Sequence, residues 1–170
     1  MAIPVTDIDT RLSGGAANAD QNLSLGGVKS SVELSPIVAE QNLFANVGGA
    51  EAAAGSTKYR ALYYNNSHTS LALQNTVIWF STQTPSTDTA MTMALAGEGL
   101  NLTMETVADE DTAPVGEVFT APATKLAGLS MGNVPFSQHF GFWIKRVVLA
   151  AASAFDNDDW AYTIEGDTAA

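Results

Sequence analysis

From position 58 onward, hydrophobic residues fall into short runs that alternate with polar ones or fill both parities, broken at near-regular intervals by polar clusters. In "KYRALYYNN", Tyr59, Ala61 and Tyr63 alternate with Arg60, Leu62 and Tyr64, a period of two that predicts a strand. Asn65, Asn66 and Ser67 then supply turn chemistry. "NTVIWFSTQ" gathers β-branched and aromatic residues into a second strand, closed by "PSTD" at 85–88, and "TAMTMALAG" predicts a third that ends at Gly97. In "FGFWIKRVVLA", Phe140, Phe142, Ile144 and Val148 share one parity and Trp143, Val147 and Leu149 the other, which predicts a strand covered on both faces. "DWAYTIEGD" alternates again, with Trp160, Tyr162 and Ile164 on one side. With no long helical period, the pattern predicts an all-β fold, a β-sandwich of Ig-like or jelly-roll type over residues 56–170.

Residues 1–55 have a different texture. "LSGGAANADQNLSLGG" and "NVGGAEAAAG" are polar and rich in glycine, and only isolated apolar residues punctuate them. Such a thread cannot enclose a core of its own. It is expected to be an extended N-terminal arm that orders by lying on its own domain or on a neighbour. Ile3, Val5, Leu12, Leu23, Leu25 and Val28 are the expected partner-binding anchors among the apolar residues of this thread, which also include Ile37 and Val38, and removal of residues 1–30 is expected to leave the body folded. The glycine pairs at 14, 26 and 48 are unequally spaced, which argues against a repeat.

Charge narrows the partners. Eighteen acidic and seven basic residues give a net charge of −11, which repels nucleic-acid phosphates, and Lys145–Arg146 is the single adjacent basic pair. The absence of cysteine excludes disulfides and thiolate metal sites. No apolar run approaches the roughly 20 residues that span a bilayer, so the chain is expected to be made in a cytoplasm without a secretion signal and to bind neither membrane nor nucleic acid.

The candidate chemistry is thin. "GLSMG" matches the G-x-S-x-G of a nucleophile elbow, which needs a strand running in and a helix leaving. Pro122 and Pro135 flank it, and His139 follows Ser130 by too few residues for the order Ser, acid, His, so Ser130 is expected to be a loop serine. His68 and His139 have no ligand residues at metal-binding offsets. "DNDDWAYTIEGD" starts like a calcium loop but places Trp160 and Ala161 where an oxygen ligand and the glycine belong, which excludes an EF-hand and leaves Asp156, Asp158 and Asp159 as a solvated turn, with a looser calcium site as the alternative. Asp109, Glu110 and Asp111 look like a loop tip. Trp79, Trp143 and Trp160 lie in strand runs, where packing is the default over a sugar-stacking platform. No catalytic residue, cofactor or metal is expected.

Taken together, "RLSGGAANADQNLSLGG", "NLF" with "EAAAGSTKYRALYYNN", "ALQNTVIWFSTQTPSTDT", "FGFWIKRVV" and "IEGDTAA" resemble virion structural proteins of tailed bacteriophages. Size, acidity, arm and β-domain look most like a capsid decoration (cement) protein. The resemblance implies a non-enzymatic homo-oligomer, commonly a trimer, on the capsid exterior, where it clips adjacent major capsid proteins and stabilises the lattice. A tail or baseplate adaptor and a carbohydrate-binding β-sandwich module are the competing expectations.

Overall fold

The computed structural model describes residues 2–34 and 42–168. Among these residues nine strands and one short α-helix follow in order: β1 (Ile8–Leu12), β2 (Gly26–Gly27), α1 (Gly49–Ala54), β3 (Ser56–Asn66), β4 (Leu73–Thr82), β5 (Thr89–Leu95), β6 (Met104–Thr106), β7 (Leu129–Val134), β8 (His139–Val148) and β9 (Ala161–Thr168). They form a four-stranded sheet β1-β3-β8-β5, a three-stranded sheet β7-β4-β9 and a two-stranded ribbon β2-β6. Every pairing is antiparallel.

The period of two places the layers. Leu62 and Tyr64 of β3, Phe142 and Ile144 of β8, and Met91 and Met93 of β5 pack with Ile78 and Phe80 of β4 and with Met131 and Val134 of β7. This is the sandwich core, and it confirms the expected all-β fold. Tyr162 of β9 closes it: its ring meets Phe142 edge-on at 5.6 Å, and its hydroxyl hydrogen-bonds Thr10 Oγ1 of β1 at 3.1 Å.

The opposite face of the four-stranded sheet is also covered. Tyr59, Ala61, Tyr63 and Trp143 pack there with Ala96, Met104 and Val107, which is why β8 is apolar on both parities. Tyr63 fastens the ribbon, since its hydroxyl donates to Gly27 O at 2.6 Å and accepts from Met104 N at 2.8 Å. Gly141 lets the ribbon come this close, because a Cβ there would stand 2.5 Å from Met104 Cγ.

The five predicted strands appear as β3, β4, β5, β8 and β9. The described residues of 1–55, the expected arm, lie on their own domain and contribute a strand and core side chains to it. β1 pairs with β3 along its whole length, from Ile8 opposite Asn66 to Leu12 opposite Leu62, and Ile3, Leu12, Leu43 and Phe44 are members of the sandwich core. The sequence between β1 and β2 is tied down by two buried serines. Ser13 Oγ and Ser24 Oγ both donate to Ala61 O, at 2.9 and 2.6 Å, and Ala61 N donates to Ser24 O at 2.8 Å, so the free edge of β3 is closed from this segment. The polar thread is ordered by hydrogen bonds to its own domain, and no boundary in the packing falls at residue 55. Ile37 and Val38 lie outside the described residues.

Candidate interaction surface

All seven basic side chains find partners within the chain. Arg11 pairs with Asp9 at 2.8 Å and Glu33 at 3.1 Å; Lys58 with Glu110 at 2.8 Å and Glu51 at 3.6 Å; Arg60 with Glu110; Lys125 with Glu165 at 2.6 Å; and Arg146 with Glu51 at 3.0 Å. Lys29 Nζ donates to Asn65 Oδ1 at 2.6 Å, and Lys145 stands 4.9 Å above the Phe119 ring. Five carboxylates hold these cations. Among the described residues the other acidic side chains have no ion-pair partner, so the surplus negative charge is not neutralised by a cation of this chain.

One concentration of that charge is built by loops. Glu98 Oε1 accepts from Glu105 N at 2.6 Å, Glu105 Oε1 from Val115 N at 2.5 Å, and Glu117 Oε1 from Gly97 N at 2.7 Å. Burial pushes the Glu117 carboxyl above its ordinary value against the Gly97 hydrogen bond, and the charges of Glu98 and Glu105 push the same way. Leu102, Val115 and Val118 are exposed in the same loops.

The six expected anchors divide. Ile3 and Leu12 are consumed in the core, and Leu25 packs against the ribbon cluster; these three are corrected, because the domain's own burial uses them. Val5, Leu23 and Val28 are 81%, 58% and 52% exposed, which leaves their apolar surface available.

The residues weighed for chemistry are occupied otherwise. Ser130 is exposed on β7 opposite Val77, so it is a strand serine and not the expected loop serine; its Oγ accepts from Gly132 N at 3.3 Å. His68 is buried and its Nδ1 accepts from Ser70 N and Leu71 N at 3.0 and 2.9 Å, which makes it a turn-former. His139 opens β8 and meets the Tyr63 ring edge-on at 5.0 Å. Asp158 accepts from Thr84 Oγ1 and from Ser86 N at 3.2 Å, and among the described residues no group of three His, Asp or Glu side chains is placed to hold a metal ion. Trp143 is fully buried, Trp160 stacks on Tyr162 with centroids 6.1 Å apart, and Trp79 alternates with the core residues Ile78 and Phe80, so the tryptophans form no shared platform.

Sequence reasoning missed two constellations. One is Phe44 beside the guanidiniums of Arg60 and Arg146, at 5.3 and 4.9 Å from the ring centre. The other is Lys29, Asn65 and Asp9, in which Asn65 Nδ2 donates to Asp9 Oδ2 at 3.3 Å. Both unite residues far apart in the chain, and no local motif signals them. No family model, curated protein or solved structure matches the chain. No helix among the described residues is long and apolar enough to cross a membrane.

Proposed function

We propose that this protein is a non-enzymatic virion structural protein that binds the outside of a phage capsid as a homo-oligomer, a trimer by preference, and stabilises the lattice by bridging adjacent major capsid proteins. The observation that carries this reading is the internal use of every basic side chain. It leaves an acidic exterior suited to a basic protein surface and unsuited to packaged DNA.

Val5, Leu23 and Val28 supply exposed apolar contacts on the N-terminal segment. Binding one lattice state more tightly than another stabilises it by linkage, with no reaction required. Many copies on one shell gain from effective concentration even where a single contact is weak.

Co-sedimentation with mature shells that lack the protein tests the proposal. Saturation at a lattice-related copy number, lost when Val5, Leu23 and Val28 are all changed to serine in a folded chain, is the expected result. Absence of binding by the parent protein would overturn it and direct attention to the tail.

A further inference from the structure

Asp9 of β1, Asn65 of β3 and His139 of β8 form one row across three adjacent strands, Asp9 opposite Asn65 and Asn65 opposite His139. Lys29 reaches this row from the segment after β2. Its Nζ lies 2.6 Å from Asn65 Oδ1, which brings a primary amine against a carboxamide carbonyl. Asp9 touches the other end of the same amide, accepting from Asn65 Nδ2 at 3.3 Å. Asp9 and Asn65 are both buried.

The geometry points to an autocatalytic site in which the Lys29 amine condenses with the Asn65 carboxamide to form an intramolecular isopeptide bond. The inference is independent of the capsid reading.

Each group has a task. Attack needs the neutral amine, and burial together with the Arg11 charge pushes Lys29 below its ordinary value, against the pull of Asp9. Burial, and then the Lys29 charge, push His139 down, against the hydrogen bond with the Leu102 backbone. Arg11 Nε and Nη2 donate to the two Asp9 oxygens at 2.8 and 3.0 Å, which fixes the carboxylate toward the amide.

In the reaction the Lys29 Nζ lone pair adds to Asn65 Cγ. Asp9 takes a proton from the nitrogen that has attacked and returns it to Asn65 Nδ2, the Cγ–Nδ2 bond breaks, and ammonia leaves. One C–N bond forms and one breaks, with no change of oxidation state and no co-reactant. Fixed proximity replaces a bimolecular encounter, the condition under which a sluggish amide exchange proceeds. Residues 29 and 65 are 36 positions apart, so the product closes a covalent loop that takes in α1 and most of β3 and ties the segment after β2 to the sheet.

Intact-mass spectrometry of the folded full chain, aged at neutral and mildly alkaline pH, tests the assignment. The expected mass is about 17 Da below that of the sequence, the loss of one ammonia, and digestion is expected to release a branched peptide joining Lys29 to Asn65. Lys29→Arg, which keeps a cation at the position, should fold and retain the full sequence mass, and Asp9→Asn should fold and link far more slowly. A folded parent that keeps its full mass after ageing would overturn the proposal. So would an ammonia loss that persists in Lys29→Arg, because it would come from an asparagine cyclising on its own backbone. Linkage at the parental rate in Asp9→Asn would remove Asp9 from the mechanism.

Discussion

Glu51 and Glu110 divide three cations at one end of the four-stranded sheet. Glu110 bridges Lys58 and Arg60, and Glu51 bridges Lys58 and Arg146. Arg60 has 1% of its side chain exposed and Arg146 8%, so neither guanidinium can be left without its carboxylate cheaply. Burial pushes both carboxyls up. Ser56, Arg146 and Lys58 outweigh it at Glu51, and Lys58 and Arg60 outweigh it at Glu110, which holds both below the ordinary 4.5. The unfolded chain therefore binds more protons than the folded one in the acid range, and stability rises with pH there. The contribution is complete above the ordinary carboxylate value and is lost as pH falls through the lower folded values. Glu110→Gln should destabilise the protein at neutral pH by about 2 kcal/mol, discounted from the cost of breaking a fully buried pair because Glu110 is one-third exposed. Glu51→Gln with Glu110→Gln should flatten the acid limb of the stability profile. Urea titrations between neutral pH and mild acid read both effects.

The same end of the sheet shows how an element outside the strands is held. Phe44 inserts beside Arg60 and Arg146, and Arg146 Nη1 donates to Ala45 O at 2.7 Å, so the segment entering α1 is pinned to β3 and β8. Phe44→Leu keeps an apolar side chain but removes the ring face from two desolvated cations, and should lower stability by about 2 kcal/mol; an unchanged urea midpoint would show that burial alone holds the segment. These contacts mark the limit of what the sequence discloses about elements. β4, β5 and β9 are legible because apolar and polar residues alternate along them, and β3 and β8 because apolar residues fill both parities of strands that are covered on both faces. β7 is not, since "LSMGNV" buries only Met131 and Val134 and its register with β4 shifts twice. β1 is not, because "IDTRL" buries an aspartate and a leucine, and Asp9 and Arg11 are satisfied by residues 56 and 22 positions away. Lys29 and Asn65 escape for the same reason: each is an unremarkable polar residue until antiparallel pairing brings β1, β3 and the ribbon segment together. A polar strand read by itself looks like an arm.

At the scale of the whole molecule, that difference decides what truncation does. An arm separate from the body could be removed without loss of fold. Here residues 1–30 contain β1, the core residues Ile3 and Leu12, the two serines that close the β3 edge, and β2 of the ribbon. Their loss would expose backbone groups along β3 and uncover one face of Tyr63 and Trp143, a cost far above that of any single side chain. Deletion of residues 1–30 should therefore abolish cooperative thermal unfolding and produce aggregation through the open β3 edge. The change of Val5, Leu23 and Val28 to serine, which touches only exposed side chains, should leave the melting transition within a few degrees of the parent. Circular-dichroism melts separate the two. A cooperative melt in the truncated chain would show that β1 and the serine clasp are accessory, and would restore the arm as a detachable element. Failure of the truncated chain to fold makes its loss of shell binding uninformative, so the surface variant is the one whose binding bears on how the protein docks.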